Sequence, residues 1–188
     1  WSLMGTEIKK ADCSERSRRK NFTNEGGIEY RYRFLKNIMG LWMIQSVHRE
    51  LGEIYSFAEL CDLAEQEKDT DSIVDVNDIS FLAPDSMIKA VKDYCIRTGQ
   101  RVPETPGELA SVIYHSLARS YAETAAEIEE LTGKTYRAIH IVGGGSNADY
   151  LNKLTAEYTG KCILAGPGDA TAIGNIAEQM IYGGIFNN

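Results

Sequence analysis

Ile139-His-Ile-Val-Gly-Gly-Gly-Ser146, followed at a helix's distance by Ala165-Gly-Pro-Gly-Asp-Ala-Thr-Ala-Ile-Gly-Asn175, decides the fold of this chain. An apolar, β-branched run stops at three consecutive glycines, and Ser146 then opens a segment of helical period. Glycine lets the backbone take positive φ and lets a bulky ligand approach the main chain closely. A helix N-terminus behind such a turn offers free N–H groups and a partial positive charge, which suits phosphate. The second stretch repeats the plan with a strand over residues 161–165, a Gly/Pro turn, then a helix over 170–182. Two adjacent strand–glycine–helix corners predict an α/β layered sheet with a nucleotide site.

Outward from these corners the pattern is mixed. Residues 1–8 and 28–35 read as strands, the second with Ile28, Tyr30, Tyr32 and Phe34 on one face. A polar loop joins them. From Asn37 to Leu51 the period is helical, with a stripe of Leu41, Ile44, Val47, His48 and Leu51. A second helix over 56–67 carries Phe57, Leu60, Cys61 and Ala64. Val74, Val76 and Ile79 suggest a short strand, and a helix runs from Pro84-Asp85 to Thr98. In the clearest helix Thr105 is the N-cap, Pro106 the first residue and Glu108 the third, a capping box. Gly133 ends it. Strand 137–142 and helix 147–159 follow, with Ser146 and Asp149 as a further candidate capping box.

Composition sets bounds. The chain has 188 residues, 43% of them hydrophobic, enough for one domain or one lobe with a real core. A net charge of −7 argues against a nucleic-acid or anionic-membrane surface. No apolar run approaches the ~20 residues that span a bilayer. Arg16, Arg18, Arg19 and Lys20 read as a solvated loop. Cys13, Cys61, Cys95 and Cys162 form no metal-type pair, and Cys95 and Cys162 read as buried reduced thiols of a cytoplasmic protein. His48, His115 and His140 stand apart from one another and read as packing residues. Trp1 and Trp42 read as core.

The chain resembles the carboxy-terminal part of the FGGY carbohydrate kinases, whose lobes have the ribonuclease H-like, actin-like ATPase fold. The residues that carry the likeness are Trp1-Ser-Leu-Met-Gly5, Asn24-Glu-Gly-Gly27, Arg31 through Trp42, the glycine triplet, and Ala165-Gly-Pro through Gly174-Asn175. They run from the first residue nearly to the last. The Arg31-to-Trp42 segment singles out one sugar-specific branch of the family.

The resemblance implies transfer of the γ-phosphoryl group of ATP to a ketose, with Mg²⁺ bound mainly by the other lobe. Gly143, Gly144 and Gly145 would face the nucleotide, with Gly144 against its adenosine–phosphate part. Gln45 matches a position that contacts ATP, and Asn37 one that contacts sugar. Eight residues apart on one predicted helix, Asn37 and Gln45 would share a cleft wall. Asn175 would tie helix ends by hydrogen bonds. Asp149 and Asp169 read as caps rather than as the catalytic base, which the family keeps in its amino-terminal lobe. No catalytic residue is therefore expected in residues 1–188. Sister kinases acting on other ketoses share the glycine corners, and a non-catalytic actin-like nucleotide-binding module is the reading from another class. The family's first strand of this lobe would precede Trp1 and lie beside the strand at 1–8. That gap would be filled by the amino-terminal lobe or by a neighbouring copy.

Overall fold

The computed structural model describes residues 2–67 and 71–186. Trp1, expected in the core, lies outside them. Among the described residues twelve helices and strands are formed: β1 (Ser2–Ile8), α1 (Glu15–Arg19), β2 (Thr23–Gly26), β3 (Tyr32–Ile38), α2 (Trp42–Glu50), α3 (Phe57–Gln66), α4 (Met87–Arg97), α5 (Pro106–Thr132), β4 (Ala138–Ile141), α6 (Asp149–Thr159), β5 (Cys162–Ala165) and α7 (Ala170–Tyr182). The strands make an antiparallel sheet in the order β1-β3-β2 and a parallel pair β4-β5.

The helix caps follow local chemistry. Thr105 and Glu108 close a reciprocal capping box at α5, with Pro106 as its first residue and Gly133 left-handed at its end. Ser56 and Glu59 form a second box at α3. The stripes of α2, α3, α4 and α5 then meet in one core, which holds Met43, Ile44, Leu60, Phe81, Val91, Ile113 and Leu117. Backbone N–H groups of Glu104 and Thr105 donate to the Glu108 carboxylate at 2.7 and 3.3 Å, and Arg101 pairs with it. Chiefly the Glu104 N–H, with help from Thr105 and Arg101, holds the carboxyl below its ordinary value. The folded pKa is depressed, so its contribution is complete above the unfolded glutamate pKa of about 4.3 and fades as pH falls through the folded value. Glu108→Gln is expected to cost about 1–2 kcal/mol at pH 7, and the difference from wild type should narrow at pH 3. Urea denaturation at both values checks this, and an equal loss at both would contradict it.

The first third departs from the sequence reading. The strand predicted at 28–35 begins at Tyr32 and runs to Ile38, while residues 23–26 of the supposed loop pair with it as β2. Residues 28–30 make a 3₁₀ turn in which Glu29 and Tyr30 have positive φ, and Ile28 and Tyr30 are exposed. The hydrophobic contribution comes instead from Phe34, Leu35 and Ile38. Phe34 stacks on Phe22 with centroids 4.7 Å apart, against Ile128 of α5. The basic cluster is not a loop but α1, capped by Ser14 and tied through Arg16 and Lys20 to Glu130 of α5.

Other expectations fail for packing reasons. Val74 and Val76 are buried in extended chain without forming a strand, and Ile79 is exposed in a 3₁₀ turn. Phe57 is half exposed, although it stacks on His48 at 4.3 Å. Cys95 is buried, but Cys162 is exposed because little packs over β5. His115 sits between the Tyr150 and Tyr158 hydroxyls at 3.2 and 3.0 Å, where burial lowers its pKa. His140 is exposed rather than packed. Trp42 lies under the Arg49 guanidinium at 5.1 Å from the ring centroid.

Among the described residues β1 pairs with β3 alone and β4 with β5 alone. A cavity of about 430 Å³ lies between these two strands, lined by residues 2–6 and 138–142. Tyr121, Ala125 and Ile128 of α5 and Leu151 and Thr155 of α6 also line it. This is a slot between two strands that each have one side unpaired.

Candidate functional site

The two glycine corners are bonded to each other. The Gly143 N–H donates to the Pro167 carbonyl at 3.1 Å, and the Gly166 N–H to the Ile141 carbonyl at 2.8 Å. Gly143 has φ +76° and Gly166 φ +106°, conformations that a side chain would strain. Residues Gly143–Asn147 form a 3₁₀ turn ahead of α6. Ser146 does not cap α6. Its hydroxyl donates to the Gly143 carbonyl at 2.7 Å, so the expected Ser146–Asp149 box is absent. Ala148 occupies the N-cap position, and Asp149 is the first residue of the helix. Asn152 donates its amide to the Ser146 carbonyl at 3.0 Å and is buried. The corner is therefore braced from behind by α6, a support that the sequence reading did not pick out.

Gly144 sits at the exposed tip of this turn. A Cβ built on it meets nothing within 4 Å, and its φ is not in the left-handed region. Its lack of a side chain serves no contact within the chain, so the space in front of it is open to a ligand. A Cβ on Gly145 would touch only the Ile141 side chain at 3.7 Å, and one on Gly168 the Asn147 and Ser146 side chains at 3.8 and 3.9 Å. Asp169 precedes α7 but its side chain caps nothing, and Asn175 is exposed with no side-chain hydrogen bond among the described residues. Neither does the work expected of it.

Asn37 and Gln45 do not share a helix. Asn37 belongs to β3 and pairs with Leu3 of β1, and Ile38 pairs with Ser2. Continued pairing carries the strand past the point where the helical pattern begins. Gly40 then turns the chain so closely past Ser2 that a Cβ there would lie 2.2 Å from the Ser2 hydroxyl. Helix α2 starts only at Trp42, and Gln45 is exposed on its first turn. The structure does not bring the two side chains to one cavity: Leu41, one turn before Gln45, lines the slot together with Ile38, Val142 and Gly145. Asn37 lines a separate cavity of about 430 Å³ with Asn21 and Asn77.

Among the described residues no group of three or more His, Cys, Asp or Glu side chains could hold a metal ion. No helix among them is long and apolar enough to cross a membrane.

Residues 1–182 match the FGGY family of carbohydrate kinases, C-terminal domain. The chain is 49% identical over 181 residues to a rhamnulokinase of Halalkalibacterium halodurans, covering 96% of this chain and 38% of that protein. It is 47% identical to the rhamnulokinase of Oceanobacillus iheyensis, with 96% and 38% covered, and 44% to that of Bacillus subtilis, with 96% and 37% covered. It thus spans well under half the length of these relatives.

Proposed function

The chain belongs to the FGGY family of carbohydrate kinases, and from that we propose that it is the ATP-side lobe of a rhamnulokinase, converting L-rhamnulose and ATP to L-rhamnulose 1-phosphate and ADP. The observation that carries this reading is the pair of mutually bonded glycine corners with open space at Gly144. Its setting in a chain similar to rhamnulokinases supports L-rhamnulose as the sugar. The mixed α/β architecture is of the family's ribonuclease H-like class.

ATP supplies the phosphoryl group. Backbone at Gly143, Gly144 and Gly145 receives the nucleotide where side chains would obstruct it, and the N-terminus of α6 behind them favours negative charge. Gln45 contacts the nucleotide from α2, and Asn37 contacts the sugar from the end of β3. By the resemblance, Mg²⁺ would be held mainly by the amino-terminal lobe and would neutralise charge on the phosphates. By the same resemblance the proton-accepting aspartate and the first phosphate loop lie in the amino-terminal lobe, so positioning is this lobe's share of the chemistry. We also infer that the slot between β1 and β4 receives an extended segment, from that lobe or from a neighbouring copy, because unpaired strand N–H and C=O groups seek partners. Helix α7 supports a larger assembly, since it has no buried residue and leaves Ile173 and Ile176 exposed.

A coupled ADP-release assay tests the reading on the kinase that carries this chain. L-Rhamnulose is expected to be the preferred acceptor over L-fuculose and D-xylulose. Preference for either of the others would move the protein to a sister kinase, and sugar-independent behaviour would favour a non-catalytic nucleotide-binding module. The chain by itself should show no sugar-dependent ADP release.

A further inference from the structure

The cavity at Asn37 is lined chiefly by neutral polar and apolar side chains. Asn21, Asn37 and Asn77 line it together, from the turn after α1, the end of β3 and the loop before α4. None of their three carboxamides has a side-chain hydrogen-bond partner among the described residues. Each carboxamide offers two N–H donors and a carbonyl acceptor, which together match the mixed donor and acceptor character of a sugar hydroxyl. Beside them Ile79 and Leu82 are 84% and 53% exposed. Apolar side chains next to polar ones suit the C–H face of a carbohydrate, including a deoxy carbon.

The charges in this cavity oppose an anion. Among the described residues no lysine, arginine or histidine lines it, and the one ionisable residue that does is Asp78. The Asp78 carboxylate is turned to other work. One oxygen accepts from the Ser80 N–H and hydroxyl at 2.9 and 2.7 Å, and the other from Arg97 at 2.8 Å. The Ser80 bonds, with Arg97, keep it ionised. A phosphate would meet the Asp78 carboxylate, already paired with Arg97, and no cation among the lining residues, whereas a neutral sugar meets three exposed carboxamides without a side-chain partner.

We infer that Asn21 and Asn77 contact the sugar alongside Asn37, and that Ile79 and Leu82 face its apolar side. This rests on the sugar-kinase reading above and extends it to residues that no resemblance assigned.

The test has two arms. In the first, the kinase that carries this chain is titrated with L-rhamnulose, and separately with inorganic phosphate, while the ¹H–¹⁵N signals of Asn side-chain amides are followed. L-Rhamnulose should shift the Asn21, Asn37 and Asn77 amides together, and phosphate should leave them unmoved. In the second, Asn77→Ala and Asn21→Ala are placed in the kinase. Each should raise the KM for ketose about fivefold, the loss of one neutral hydrogen bond, with the KM for ATP changed less than twofold. Amide shifts in a protein that phosphorylates no ketose would keep this inference and sink the kinase reading. Unmoved amides, with ketose KM values unchanged in an active kinase, would overturn the inference and leave the kinase reading standing. Equal rises in both KM values would also overturn it.

Discussion

Replacing Gly5 by alanine is expected to destabilise the chain by on the order of 3 kcal/mol or more. A Cβ there would lie 2.3 Å from the Phe34 carbonyl oxygen, 2.5 Å from the Leu35 Cβ and 2.7 Å from the Leu35 Cα. Two of these are backbone atoms of the paired strand, since Gly5 faces Leu35 in the β1–β3 register. Backbone cannot swing aside as the tip of a side chain can, so the two strands must separate or slip. Separation would loosen Phe34, which is fully buried and stacked on Phe22. Gly26 is the internal control. It also lies on a strand, but a Cβ there meets nothing within 4 Å. Gly26→Ala should stay within about 0.5 kcal/mol of wild type. Urea or thermal unfolding of the two variants checks the pair, and equal stabilities would show that the β1–β3 contact is looser than described.

Replacing Gly144 by valine is expected to raise the KM for ATP tenfold or more in the kinase while leaving stability and the KM for ketose nearly unchanged. The prediction separates ligand from fold because a Cβ at Gly144 touches nothing within the chain and its backbone needs no positive φ. Gly143 would not serve, since at φ +76° any side chain strains the turn with or without nucleotide. Steady-state kinetics against each substrate, with a melting curve as companion, decide the matter. A parallel rise in both KM values, or a large drop in melting temperature, would remove Gly144 from the nucleotide side.

What could be read from the sequence was local. The α5 capping box needs only Thr105, Pro106 and Glu108, three neighbours whose side chains and backbone satisfy one another. The glycine corners were legible for the same reason, because three glycines between an apolar run and a helical period leave the backbone few alternatives. The stripe of α3 recorded the burial of Leu60, Cys61 and Ala64 in its own periodicity, although Phe57 on the same stripe stays half exposed.

What the tertiary structure decided depended on partners distant in the chain. Asn37 lies in a strand because Leu3 pairs with it. The helical period that starts at Leu41 extends smoothly back through Asn37 in the sequence, and only the partner strand breaks it. Phe34 and Leu35 are both buried, against the alternation of a simple two-faced strand, and Phe34 reaches Phe22 and Ile128 of α5, partners distant in the chain. Ser146 and Asp149 have the spacing of a capping box, yet the Ser146 hydroxyl turns back to Gly143 because the glycine corner needs that bond. Cys162 has an apolar setting in sequence and a solvent-facing one in space. The slot between β1 and β4, and the meeting of Asn21, Asn37 and Asn77 around one cavity, have no signature in any single segment. Each arises only where strands and loops far apart in the chain are brought side by side, which is a property of packing rather than of local preference.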